Sequence, residues 1–306
     1  MLVNSLSQSK IKSRLNSREG LGLEIGPFTV SIRSSVAHVV DGILNLYGHY
    51  PLISDDEFID YRVRVYSPLN LHRLLGRPQV LFALDNLVPF KPLPLDQAFP
   101  MLEWGLNWCV SSNAQEYLII HSAVVAKNGR CVMLPGAPGA GKSTLCSGLA
   151  TRGWQLLSDE LALISCETGK IAPFPRPISL KNQSIPIMKD FAPGVFFNRE
   201  SVNTAKGTVA HMKVSEQSIE MAAESVEPFM IVLPKYTPES ESVFEPLSKA
   251  TAFMQVADNA FNYSLLGDAG FNVTGDLVDR CDTYTLAYSD LDDVITIFDE
   301  MIQVGR

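Results

Sequence analysis

The sequence predicts an α/β fold with a smaller α/β domain on its N-terminal side, on three observations. Segments of helical and strand periodicity alternate along the chain. A buried-strand pattern, Arg130–Pro135, runs straight into a glycine-rich loop and then a helix. At 306 residues the chain is about twice the usual domain length, so two domains and a sizeable core fit.

Residues 1–18 hold Lys10, Lys12, Arg14 and Arg18, are rich in serine and carry no acid. That composition is shared with transit peptides, but a frayed basic tail is the simpler reading. Residues 19–95 read as a mixed α/β domain. Within them, 21–33 alternates across a Gly26-Pro27 turn as a hairpin, 36–47 has helical spacing, and 58–66 alternates again. Pro89, Pro92, Pro94 and Pro100 then break regular structure and predict a junction near residue 95.

The remaining domain, 96–306, opens with a helix at 101–111. Strands at 117–126 and 130–134 follow, around the turn Lys127-Asn-Gly129. After the glycine loop come a helix stopped by Gly153 and a strand at 154–158. The proline-rich stretch 173–186 and the weakly patterned residues up to about 226 read as loops. A strand at 229–233 ends at Pro234, and 250–266 and 291–302 read as closing helices.

Composition narrows the function. A net charge of -8 gives no electrostatic footprint for nucleic acid. The longest apolar runs, such as 117–126, are too short to span a bilayer, which predicts no membrane anchor. Five scattered cysteines with no C-x-x-C pair predict neither a disulfide framework nor a zinc site, and fit a reducing cytoplasmic location. A protein is the macromolecular partner this charge favours, and a homo-oligomer is compatible with it.

Gly136-Ala-Pro-Gly-Ala-Gly-Lys-Ser143 matches G-x-x-x-x-G-K-[ST] at every fixed position, which predicts binding of a nucleoside triphosphate. Backbone amides from Gly136, Ala137, Gly139, Ala140 and Gly141 can turn toward phosphates. Lys142 can reach the terminal phosphates, the Ser143 hydroxyl suits Mg²⁺, and Thr144 continues a helix whose positive end faces the anion. The flanking strand and helix weigh against a plain ligand-free glycine turn.

Asp159 and Glu160 stand at the end of the next apolar strand, where an acid can hold Mg²⁺ or accept the proton of an attacking hydroxyl. Solvated turn acids, or Asp159 as a helix cap, are the alternative. His121 sits among apolar residues, and on pattern alone reads as a core histidine. His211 lies in what reads as a polar loop, 206–213, either a plain surface loop or a basic group for phosphate or acceptor.

His121-Ser-Ala-Val-Val, the glycine loop and Arg152-Gly-Trp-Gln-Leu-Leu-Ser-Asp-Glu160 together resemble the catalytic domain of bacterial HPr kinase/phosphorylase. With Glu103-Trp-Gly-Leu-Asn-Trp108, Arg176-Pro-Ile-Ser-Leu-Lys-Asn182, Lys206-Gly-Thr-Val-Ala-His211 and Phe261-Asn-Tyr263, the chain is most similar to the HPr-related kinase A group. The resemblance implies a P-loop kinase fold of the HPr kinase and phosphoenolpyruvate carboxykinase type, with ATP and Mg²⁺. It also implies Asp159 as proton acceptor, Ser143 and Glu160 at the metal, and His121 and Lys142 in the catalytic site. Ser179 and Lys181 stand where the HPr kinase signature has its metal-binding glutamate and its arginine, which argues against HPr itself as substrate. The resemblance also implies a small PqqD-like peptide-carrier protein as a candidate partner.

The leading expectation is a kinase that phosphorylates a Ser or Thr hydroxyl of a protein or peptide, with the 206–211 segment helping to hold the acceptor. An ATP-gated peptide- or protein-binding adaptor is the alternative that the missing glutamate favours. A small-molecule kinase is a third reading, disfavoured by the long sequence ahead of the loop.

Overall fold

The computed structural model describes residues 1–54, 56–137 and 139–304. The chain forms a mixed α/β protein of two compact units. The first comprises Met1–Val110, Ser179–Ile185 and Gly194–Lys213, and the second Ser111–Ile178, Pro186–Pro193 and Val214–Arg306.

The first unit runs α1 (Gln8–Asn16), β1 (Leu21–Ile25), β2 (Phe28–Ser34), α2 (Ala37–Leu46), β3 (Tyr61–Tyr66), α3 (Leu71–Leu74), β4 (Gln79–Leu84), β5 (Leu93–Pro94) and α4 (Ala98–Asn113). Its five-stranded sheet has the order β1-β2-β3-β4-β5. All neighbours are antiparallel except β2 and β3, which α2 joins as a parallel pair.

Residues 1–18 are not a frayed tail. The Ser7 hydroxyl accepts from the Lys10 N–H to cap α1, and Ile11 and Leu15, one turn apart, are buried with Val3. The Val3 N–H also donates to the Tyr50 carbonyl at 3.1 Å. High basic content hid this short apolar stripe.

α4 packs within the first unit rather than opening the second. A Cβ on Gly42 or Gly105 would lie 2.1 Å from the rings of Phe99 and Phe82 respectively, so both glycines permit close approach. Tyr47 also donates to the buried Glu103 carboxylate at 2.7 Å. The boundary therefore falls at Val110 rather than at the prolines near residue 95.

The second unit opens with β6 (Tyr117–Lys127) and β7 (Arg130–Pro135), joined by a turn in which Asn128 and Gly129 have φ of 54° and 74°. α5 (Lys142–Thr151), β8 (Gln155–Ser158), β9 (Leu161–Ser165) and β10 (Ile171–Ala172) follow. The chain then forms β11 (Ile178–Lys181), α6 (Ser184–Phe191), β12 (Ser201–Thr204) and β13 (Gly207–Met212), of which β11 from Ser179 on, β12 and β13 belong to the first unit. The region read as loops thus holds a three-stranded sheet in the order β11-β13-β12. Its strands, four to six residues long, are too short to carry a clear period.

The chain closes with α7 (Glu216–Glu220), β14 (Glu227–Tyr236), β15 (Val243–Pro246), α8 (Lys249–Asp258), α9 (Tyr263–Leu266), α10 (Asp268–Arg280), β16 (Asp282–Tyr288) and α11 (Leu291–Val304). The large sheet has eight strands in the order β10-β9-β6-β7-β14-β16-β15, with β8 also on β6. β14 runs parallel to both β7 and β16.

Pro234 does not end β14. Beyond Ile231 the strand is paired only with β16, and Pro234 shares its outward direction with Tyr236, so no ladder bond needs the missing N–H. Leu118, Ile120, Val124, Met133, Ile231 and Leu277 belong to the buried core of this unit. Among the described residues no helix is long and apolar enough to cross a membrane.

Candidate functional site

Gly136, Gly139 and Gly141 carry φ of 149°, 85° and 93° between β7 and α5, conformations that side chains disfavour. Pro138 lies outside the described residues. Gly141 has a second constraint, since a Cβ there would sit 2.4 Å from the Tyr288 hydroxyl and 3.1 Å from Tyr236 Cβ.

Those two tyrosines brace the loop from the ends of neighbouring strands. The Tyr236 N–H donates to the Ala140 carbonyl at 3.1 Å, and the Tyr288 hydroxyl donates to the Gly141 carbonyl at 3.0 Å. Their rings meet edge-on with centroids 5.9 Å apart. Burial, and then the neighbouring Tyr236, push the Tyr288 pKa well up, so it stays a donor.

Lys142 is buried at the start of α5, and its ammonium donates to the carbonyls of Gly136 and Ala137. α5 has no side-chain cap and no acid in its first turn, so its positive end meets no carboxylate of its own. Ser143 and Thr144 are half-buried in that turn, with the Ser143 carbonyl accepting from the Ser147 hydroxyl at 2.6 Å.

The register of β6 brings the three motifs together. Ser122 lies opposite Pro135, the last residue before the glycine loop. His121 lies opposite Leu161, the first residue after Asp159-Glu160. The Ser122 N–H donates to the Glu160 carbonyl at 3.2 Å. Loop entry, histidine and acidic turn therefore meet at the middle of β6, beside the end of β7 and the junction between β8 and β9.

Asp159 and Glu160 are 4% and 9% exposed, so they are not solvated turn acids. The Ser158 hydroxyl forms their turn, accepting from the N–H groups of Glu160 and Leu161 at 3.4 and 3.0 Å. Burial, and then the Asp159 charge, push the Cys146 thiol of α5 well above its usual range.

His121 is half-buried rather than enclosed, and its ring centroid lies 6.0 Å from that of Phe261. Alternation along β6 sends Leu118, Ile120 and Val124 into one core cluster and His121 to the opposite face, beside the fully buried Ile119 and Ala123. Asn262 clamps this stretch: its carbonyl oxygen accepts from the Ile119 N–H at 2.9 Å, and its amide donates to the Tyr117 carbonyl at 2.8 Å. The residues 259–262 around it interrupt the single helix expected over 250–266.

Sequence reasoning missed Tyr236, Tyr288 and Cys146. β16 carried only a weak alternation as a signal, and Tyr288 is 147 residues from Gly141.

The segment 206–213 is not a loop. Residues 207–212 form β13, and His211 is fully buried there, its ring centroid 5.0 Å from that of Phe99. Gly207, at φ 85°, supplies the tight turn, and Lys206 beside it is exposed with Nζ 5.3 Å from the Trp104 ring. Ser179, Lys206 and His211 belong to the first unit, whereas the glycine loop, His121 and Asp159 belong to the second.

Residues 99–182 match the family model described as SynChlorMet cassette protein ScmC. The likeness thus covers the stretch holding His121, the glycine loop and the acidic turn. A search of curated proteins gives no match.

Proposed function

We propose that the second unit binds ATP with Mg²⁺ and transfers the γ-phosphoryl group to a Ser or Thr hydroxyl of a protein or peptide. The observation that carries this reading is the convergence of the glycine loop, His121 and the buried Asp159 through the register of β6. The likeness to the ScmC family model over this same stretch is compatible with it.

In this reading the loop amides and Lys142 hold the phosphates. Asp159 takes the proton of the acceptor hydroxyl as its oxygen attacks the γ-phosphorus. The bond from that phosphorus to the β,γ-bridging oxygen breaks, and ADP leaves. His121, at the same point on β6, orients the reacting groups.

The residues present fit the ion and the nucleotide. Three left-handed glycines form the cradle, and a serine hydroxyl and a buried carboxylate flank it. Among the described residues no group of three or more His, Cys, Asp and Glu could hold an ion alone. Mg²⁺ shared with phosphate oxygens needs only about one or two carboxylates. Ser143 and Glu160 would hold it, and it would supply charge neutralisation at the phosphates.

Incubating the protein with γ-labelled ATP and extract of its host cell tests the proposal. Label should pass to a protein or peptide, and Asp159→Asn should slow this by about 10²- to 10⁴-fold with ATP affinity retained. Unchanged transfer by Asp159→Asn, or no labelled macromolecule, overturns it. Ser179, in place of a metal-binding glutamate, favours a second reading as an ATP-gated binder. That reading expects ATP-dependent partner retention with no label transferred.

A further inference from the structure

We propose that one face of the first unit is a docking groove for an acidic peptide segment bearing apolar side chains. It is built by α3, the start of α2 and the adjoining ends of β3 and β4. Two cavities of about 580 and 600 Å³ open there and share His38, Pro78 and Leu95 in their walls. This inference does not depend on phosphoryl transfer.

The walls carry an excess of positive charge. Arg64, Arg73 and Arg77 line them, with His38 and His72, against Asp96 as the carboxylate. In a chain of net charge -8 this is a local reversal of sign. Among the described residues no carboxylate pairs with these three arginines. Arg64 is held in the wall with its guanidinium 4.5 Å from the Tyr66 ring. The buried Ser67 hydroxyl in the second cavity makes no hydrogen bond to the described residues. The start of α2 there has neither a side-chain cap nor an acid in its first turn.

The same segment presents apolar side chains to solvent. Leu69, Leu71, Leu74 and Leu75 are 90%, 69%, 83% and 68% exposed. Single exposed leucines are ordinary, but four interleaved with unpaired cations beside a concavity mark an interaction surface. α3 buries none of its own residues. It is tethered through Asn70, which accepts from the Arg73 N–H at 3.2 Å and donates to the Gln79 side chain at 3.1 Å.

Charge complementarity selects the occupant. The arginines suit carboxylates, the leucines suit apolar side chains, and each recess has room for several side chains. A second copy of the chain would bring the same cations to a symmetric contact. An anionic membrane is flat where this surface is concave, and the net negative charge opposes approach to it.

The test passes a randomised peptide pool over the immobilised chain and sequences what is retained. Retained peptides should be rich in Asp and Glu interspersed with Leu or Phe. The doubly charge-reversed variant Arg73→Glu/Arg77→Glu should lose this preference and favour Lys and Arg. A selected acidic peptide, followed by fluorescence anisotropy, should bind the variant about tenfold or more weakly, and the wild type less tightly as salt rises. Leu71→Ser/Leu74→Ser should also weaken it. All four positions are exposed, so thermal midpoints should match the wild type. A retained pool without acidic enrichment overturns the proposal, as does a charge-reversed variant that keeps the same peptides. Cosedimentation with phosphatidylserine vesicles in place of peptide selection does so too.

Discussion

Gly141→Ala probes the bracing of the glycine loop, and Tyr288→Phe makes the probe specific. Alanine at the left-handed φ of 93° costs about 1–2 kcal/mol in backbone strain. Its Cβ, 2.4 Å from the Tyr288 hydroxyl, adds about 1–3 kcal/mol of overpacking. Tyr288→Phe alone removes a 3.0 Å hydrogen bond and costs about 0.5–1.5 kcal/mol. In the double variant the colliding oxygen is gone, while the ring carbon at 3.3 Å and Tyr236 Cβ at 3.1 Å remain. The double variant should therefore be less destabilised than the sum of the singles, by about 1 kcal/mol or more. Urea unfolding of the four proteins measures the cycle, and a fluorescent ATP analogue reports the loop. Additivity within about 0.5 kcal/mol would refute the contact between Gly141 and Tyr288.

Two further outcomes are expected. His121→Ala should leave the thermal midpoint nearly unchanged and abolish label transfer, because its ring is half-buried where its neighbours on the same face of β6, Ile119 and Ala123, are fully buried; a large drop in midpoint with normal transfer would make it a packing residue. Burial raises the thiols of Cys131, Cys146 and Cys281 above their ordinary 9.0, the last to about 12. The folded chain thus keeps protons that the unfolded chain releases, so stability is full below about pH 9 and falls above it. The slope is up to about 1.4 kcal/mol per pH unit for each thiol. Urea midpoints that hold constant from about pH 9 to pH 11 would contradict this.

What could be read in the sequence was local. The glycine loop, its entering strand and the helix after it announce themselves within 130–152, because burial run, turn glycines and helix stop are contiguous. Asp159-Glu160 and His121 were visible as candidates, but their convergence depends on the register of β6, which no local pattern encodes. Tyr236 and Tyr288 reach the loop from strands distant in sequence, and Pro234 concealed the continuation of β14. The cationic groove assembles residues from 35 to 96, which share no motif. Ile11 and Leu15 were two apolar positions in a basic, serine-rich stretch, too few to outweigh its composition.

Calorimetric titration of Mg²⁺ and ATP into the wild type and Lys142→Ala tests the triphosphate site most directly. The Lys142 ammonium lies against the carbonyls of Gly136 and Ala137, at the centre of the loop. The wild type should bind the nucleotide at one site per chain. Loss of that charge should weaken binding or turnover by about 10²-fold or more in a protein that still folds. A wild type that does not bind ATP, or a Lys142→Ala variant that binds and turns it over equally well, would contradict the account.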